Sequence, residues 1–414
     1  MLQNLIRAAF VTSLLGTAGA VLIAAPITAA QAADKVGKQV GEPLNAALQA
    51  IQKSDWTTAM ASIKQAQAVP NRTPYEDYVI NKILSLVAFN LKDYNTALTA
   101  IQAALASPSM PPEDKKDLLT NAFRLESRAN NYPGIIQYGR QLEAIAPLGD
   151  EDLTNMAIAF YNTKDTASAQ QYAQKAIAAA KAAGKQPPQA ALEITMNAQA
   201  KANPEAAVQT LEQIVSQNNS PVEWGKLISI GFSTKGMDDV IAMDLYRLML
   251  VTRSFSANEA KLAGRLANSL HYYGDTVAIL ESAGVTGSDL SAAKSNAAKE
   301  RGLIATEISA ARKSGGATAL NVAEGLYGYG RYAEAEELAR QAGPRAGKNP
   351  GEAQMVVGMA QVRQGKFAEA AQTFQSVSGN PAIMKAAHLW GIFARQQAGG
   401  GRAAPAPAGT PPSH

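Results

Sequence analysis

Two stretches of the chain, Tyr329-Gly330-Arg331-Tyr332-Ala333-Glu334-Ala335 and Gln364-Gly365-Lys366-Phe367-Ala368-Glu369-Ala370, match position by position at a spacing of 35 residues. A sequence that repeats at this interval builds one small unit many times, and each unit buries its apolar face on its neighbours. Upstream, the same punctuation recurs as an Asp or Asn, often followed by an aromatic residue, with a small or aliphatic residue four places on. It reads Asp55 with Ala59, Asp93 with Ala97, Asn131 with Ile135, Asp165 with Ala169, Asn203 with Ala207, Asp238 with Ala242 and Asp275 with Ile279. The polar residues are separated by 38, 38, 34, 38, 35 and 37 residues.

Each part of the unit has a physical reason. A side-chain oxygen at the Asp or Asn accepts from the exposed N–H groups of a starting helix, so these residues are expected to be N-caps. Pro204 after Asn203 fits the first helical position, where its missing N–H costs nothing. The small residue four places on lets two helices approach. Pro70, Pro108, Pro147 and Pro381 fall where the second helix of a unit should stop. Ala is the commonest residue and aromatic residues make up 6%, so the chain reads as helical almost throughout. Between Ile279 and Ala335 the register breaks, and Ser288 to Lys313 reads as one long helix or an imperfect pair.

This pattern resembles the tetratricopeptide repeat, and the resemblance covers about residues 42–380. Ala97, Ala169, Ala207, Ala335 and Ala370 stand at the family's small residue in the second helix, Gly358 at its small residue in the first, and Phe374, Leu211, Ala104 and Ala176 at later packing positions. Ile135 and Ile279 are large for their place, and Gly139 stands where an aromatic residue is usual. The resemblance implies an all-α fold, an α-α superhelix or TPR-like solenoid of about nine helix pairs over 33–398. A generic α-solenoid of another repeat type is the alternative. Residues 382–398 carry Ile383, Ala387, Trp390 and Ala394 on one face and are expected to form a C-terminal capping helix. The Gly/Pro/Ala-rich segment 399–414 cannot bury a core and is expected to be a disordered tail.

The N-terminal 32 residues read as a secretory signal peptide: a short segment bearing Arg7, an apolar run from Ala8 to Ala25, and the small-x-small site Ala30-Gln31-Ala32. This predicts a periplasmic protein with no membrane span after cleavage, an uncleaved anchor being the alternative. There is no cysteine, hence no disulfide. The formal charge of +4 falls to +3 without Arg7, which gives no electrostatic case for nucleic acid.

Gly328-x-Gly330 beside a helical run has the look of a dinucleotide-binding loop. That motif needs a preceding strand, whereas Ala317 to Tyr327 is helical in pattern, so a glycine closing a first helix is the expected reading. His271, His388 and His414 have no partner at metal-ligand spacing, and no metal or cofactor is expected. No G-x-S-x-G elbow is present. Paired carboxylates such as Glu151-Asp152 and Glu336-Glu337 suit helix starts and solvated faces better than acid–base catalysis. The expectation is a non-catalytic scaffold that binds a protein or peptide, an envelope component, in the groove lined by first helices. A binder of cell-wall glycan is the alternative. In the tetratricopeptide register the inward positions include Lys82, Arg124, Arg128, Tyr161, Asn162, Asn268, His271 and Glu324, and the first seven are the candidate partner-binding residues. Arg124 and Arg128, four apart on one helical face, suit a carboxylate, a phosphate or an acidic peptide. Lys82 is followed by Leu86 rather than Asn, so a carboxylate clamp for a free peptide C-terminus is not expected.

Overall fold

The structure, a computed structural model, describes residues 36–399 except 345. The expected signal peptide and nearly all of the expected tail lie outside the described residues. Helices follow one another without a strand among the described residues, and the chain divides into two units, 1–198 and 199–414.

Unit 1 holds α1 (Lys38–Gln52), α2 (Trp56–Gln67), α3 (Pro74–Asn90), α4 (Tyr94–Ala106), α5 (Lys115–Ala129), α6 (Tyr132–Glu143), α7 (Asp150–Asn162), α8 (Thr166–Ala182) and most of α9 (Gln189–Ala202). From α1 to α8 they form antiparallel pairs, each stacked on the next. The turn inside each pair explains the punctuation. Ser54, Lys92, Asn130 and Lys164 adopt left-handed backbone, with φ between 53° and 68°. The next residue then returns its N–H to a carbonyl five positions back, as Asp55 does to Ala50, Asp93 to Ala88, Asn131 to Glu126 and Asp165 to Phe160, at 2.9 to 3.0 Å. This closure ends one helix and sets the cap of the next. Asp55, Asp93 and Asp165 accept from the N–H groups of Thr58, Thr96 and Ser168 at 3.0 to 3.1 Å, whereas Asn131 makes no side-chain cap bond. Four residues beyond each cap, Ala59, Ala97, Ile135 and Ala169 are buried, as the register requires. The bulk missing at Gly139 is supplied by its neighbours, since a Cβ there would stand 2.1 Å from the Met156 sulfur.

Unit 2 continues with α10 (Pro204–Gln217), α11 (Pro221–Gly231), α12 (Asp239–Thr252), α13 (Ala257–Ser269), α14 (Tyr273–Ser282), α15 (Ser288–Arg301), α16 (Ile304–Ser314), α17 (Gly316–Gly328), α18 (Tyr332–Ala342), α19 (Glu352–Arg363), α20 (Phe367–Gln375) and α21 (Pro381–Ala398). The left-handed turn returns at His271, Gly330 and Gly365, followed by the same backbone closure from Tyr272, Arg331 and Lys366. Tyr272, not Asp275, therefore holds the N-cap position of α14. Asp275 lies inside the first turn of α14 and is 1% exposed, which corrects its expected capping role. The small-residue position of that repeat is Thr276, buried four places beyond Tyr272, and Ile279 is a core residue further along the helix. Ala207 and Ala242 are half-buried, so the register is looser there.

Segment 288–314 is the imperfect pair. α15 packs on α14 and α16 on α17, while α14 also meets α17 directly. The broken register is thus an insertion between two repeats that still stack. At that junction Gly274 and Gly328 bring backbone against backbone: a Cβ on Gly274 would lie 2.5 Å from the carbonyl carbon of Gly328. The two glycines that mimic a nucleotide loop have separate structural tasks, close helix approach at Gly328 and a left-handed turn at Gly330, where φ is +76°.

The expected last helix forms, with Ile383, Ala387, Trp390 and Ala394 buried, and it contacts more of the unit than a terminal cap needs. A terminal cap covers one open face, but α21 packs against α20 and α19 and also against α10, α11 and α12. Most of its circumference is buried, including Ile383, Leu389, Trp390 and Phe393, with Met384, His388 and Arg395 left exposed. Trp390 stacks on Phe374 and meets Phe393 edge-on, and Phe393 meets Trp224. Polar contacts fasten the same helix. Glu212 accepts from Lys385 at 2.7 Å and lies 2.9 Å from His388, and Gln396 donates to the Val215 and Asn218 carbonyls, both at 2.9 Å. Asn380 caps α21 and donates to the Gly236 carbonyl. Unit 2 is closed on its own last helix.

Candidate functional site

The inward register positions of unit 1 fall on α3, α5 and α7. On α3 the side chain of Lys82 does not project: it is 3% exposed and its Nζ lies 2.6 Å from Asp114 Oδ2. Tyr78 donates to the same oxygen, and burial first, then this acceptor, holds its hydroxyl far above the usual tyrosine range. Lys82 thus ties α3 to the short turn that precedes α5, a positioning role rather than the contact role expected of it. Asp117, in the first turn of α5, has its carboxyl pushed up by burial and by Asp114, against the pull of Lys82.

Further along α5, Arg124 and Arg128 are both exposed. Arg124 acts on Asp152 of α7, drawing down a carboxyl that burial and the neighbouring Glu151 and Asp150 hold above its usual value. The Arg128 guanidinium lies 5.4 Å above the Tyr94 ring, a cation–π arrangement that fixes its stem while leaving its edge in water. On α7, Tyr161 is 42% exposed, and Asn162 is exposed with its amide donating to the Ile158 carbonyl at 2.9 Å. The side of unit 1 formed by α5 and α7 therefore carries two guanidinium groups, the Asp152 carboxylate, a phenol and an amide. These groups can bind by hydrogen bonding and charge pairing.

Asn268 and His271 belong to unit 2. Asn268 is exposed on α13. His271 holds the left-handed turn, with φ of +61° and its Nδ1 2.8 Å from the Tyr273 hydroxyl. Its place in the repeat is that of Ser54, Lys92, Asn130 and Lys164, which accounts for the residue without a ligand. His388 is half-exposed and faces Glu212, whose carboxyl is drawn down to about 2 by His388 and Lys385 in spite of its burial.

Sequence reasoning did not find a cluster of four charged side chains buried in unit 2. Arg247 of α12 is 0% exposed. Its Nη2 and Nε reach the two oxygens of Asp275 at 2.7 and 3.3 Å, its Nη1 donates to Glu324 of α17, and Asp244 stands 3.6 Å from Nη1. The Tyr272 and Tyr327 rings lie 5.2 and 4.6 Å from the guanidinium. Glu324, read as an inward groove position, is buried in this cluster. The sequence does carry a signal for it: Asp244 and Arg247 interrupt the otherwise apolar run from Ile241 to Val251, a place where a charge must find a partner. Elsewhere in unit 2, a cleft of about 300 Å³ opens beside α18, α19 and α20, lined by Arg340, Gln354, Thr373 and Ser376 among others. Arg340 is already paired there with Glu336 at 2.7 Å. Among the described residues no group of three or more His, Asp or Glu side chains is arranged to hold a metal ion, and no helix is long and apolar enough to cross a membrane.

The helix pairs, their left-handed turns and the buried small residue after each cap define the class: an all-α helical-repeat protein of tetratricopeptide-like construction. No family model and no curated protein matches the sequence. Among solved structures, a tetratricopeptide repeat protein from Parabacteroides merdae ATCC 43184 matches over 86% of this chain and 99% of its own, at 12% identity and a TM-score of 0.29. A chain from the structure of Naa15/Naa10 bound to HypK-THB matches over 88% of this chain, at 16% identity and a TM-score of 0.34. The match spans 59% of that longer chain. The class rests on the pairs themselves rather than on these likenesses.

Proposed function

We propose that the protein is a non-catalytic scaffold that holds a protein or peptide partner on the α5–α7 side of unit 1, and that it works in the periplasm after export. The observation that carries this reading is the exposure of Arg124, Arg128, Tyr161 and Asn162 on neighbouring first helices, where the matching positions Glu324, Tyr327, Met359 and Val362 on α17 and α19 are buried. Exposed guanidinium groups beside a carboxylate suit a polar, extended segment with acidic side chains. The export half of the reading rests on the N-terminal sequence pattern, and an envelope component is the partner it implies.

A photo-cross-linking residue at position 161, in cells that make the protein, tests the surface. The expected result is a discrete protein adduct that disappears when Arg124 and Arg128 are both changed to Glu. Adducts indifferent to those changes would overturn the assignment, and label found only on glycan strands would transfer it to a polymer binder. A mature N-terminus at Ala33 is the separate expectation for export.

A further inference from the structure

One guanidinium meets three carboxylates in the core of unit 2, an excess of two negative charges if all are ionised. Burying uncompensated charge is among the most unfavourable things a fold can do. The three acids are not equally served. Asp275 is held through both oxygens and Glu324 accepts directly from Nη1, but Asp244 has only the 3.6 Å approach, and its Oδ1 has no hydrogen-bond partner among the described residues. We propose that this cluster is a proton-binding site: at neutral pH the folded protein carries a proton on the Asp244–Glu324 pair, and loss of that proton loosens the junction where α12 meets α21.

Among the described residues, every charged neighbour of the pair except Arg247 is acidic. Asp275 and Tyr272 face the pair from α14 and its cap, Glu324 and Tyr327 from α17, and Glu352 from α19; Arg247 is the cation among them. Burial first, then Glu324, drives the Asp244 carboxyl well above its usual range, and burial also raises Glu324. Both acids compete for the same Nη1, so they titrate as a pair. The closing helix is held at the same residue, because the Trp390 indole of α21 donates to the Asp244 backbone carbonyl at 3.0 Å.

The sign follows from linkage. An acid whose folded pKa lies above its unfolded value, about 4, takes up a proton on folding. Its contribution is complete below that pH and is lost as pH rises through the folded value, at about tenfold in the folding constant per pH unit for one proton.

The test uses the full chain carrying Trp56→Phe, so that fluorescence reports Trp224 and Trp390 of unit 2. Urea unfolding between pH 5 and pH 8 should show stability falling with pH, and Asp244→Asn should flatten that slope. The three histidines of residues 199–414 are common to both proteins and cancel in the comparison. A parallel slope in Asp244→Asn, or no slope in the parent, would overturn the proposal. Infrared spectroscopy of the unsubstituted protein needs no variant to fold: at pH 7 it should show the C=O stretch of a protonated carboxylic acid, and absence of that band also overturns it.

Discussion

Arg124 and Glu324 hold the same place in their repeats, eleven residues before Ile135 and Ala335, yet one is exposed and the other is 3% exposed. Tyr161 lies eight residues before Ala169 and is exposed, whereas Tyr327 lies eight before Ala335 and is buried. Met359 and Val362, at these positions in the following repeat, are buried too. The contrast is between particular helices rather than whole units, since at the same place Leu48 and Leu86 of unit 1 are buried and Arg265 of unit 2 is exposed. In unit 1 helices meet their sequence neighbours, and the inward side of α5 and α7 stays in water. In unit 2 the chain brings α21 back onto α10, α11 and α12, and the inward positions of α17 and α19 are core while Arg265 and Asn268 of α13 stay exposed. A helical repeat thus sets which positions face inward, and the residue placed there together with the helices packed over it decides whether that position is core or surface.

The sharpest way to break this comparison is to treat the two arginines alike. Arg247→Met strands three buried carboxyls and should cost about 3–5 kcal/mol, read as an early urea transition by Trp224 and Trp390 fluorescence. Arg124→Met should stay within about 0.5 kcal/mol, and equal losses would erase the distinction. Ala97→Trp and Ala370→Trp instead probe what the units share. Each overpacks a buried small position and should lower stability by roughly 1–3 kcal/mol, and an unchanged melting temperature in either would mean that the register fails in that unit. Asn380→Ala removes the cap of the closing helix and should cost about 1 kcal/mol, with hydrogen exchange rising in α21 and in 234–238. The smallest effect separates the units by pH. Hydrogen bonds from Thr58, Thr96 and Ser168 hold Asp55, Asp93 and Asp165 below the usual aspartate range. Stability from these caps is present above about pH 4 and lost as pH falls through their folded values. Unit 1 peptides should therefore gain exchange on acidification, opposite in sign to the Asp244 pair, after correction for the chemical exchange rate.

What could be read in advance was local. A cap, a left-handed turn and a buried alanine lie within ten residues of one another, and the hydrogen bonds that need them span three to five positions, so Asp93 and Ala97 announce themselves. Gly328 and Gly330 were separable from a nucleotide loop for the same reason. The return of α21 was not legible, because Glu212 and Lys385 are 173 residues apart and neither periodicity nor capping encodes such a meeting. Asp275 was misplaced by its resemblance to the caps upstream: one polar residue near a turn looks like another until Arg247, 28 residues away, is seen to claim it. Lys82, expected on the inward face, is buried against Asp114, 32 residues on, a pairing that neither periodicity nor capping announces.

The closure of unit 2 also has a mechanical meaning. An open stack pulled from its ends can peel one pair at a time, each step a small rupture. In residues 199–398 the first and last helices are bound to each other, so tension applied at the two ends loads the α10–α21 seam before any inner pair. The region should resist stretching as a clasp does, yielding in one large event and then unravelling at low force.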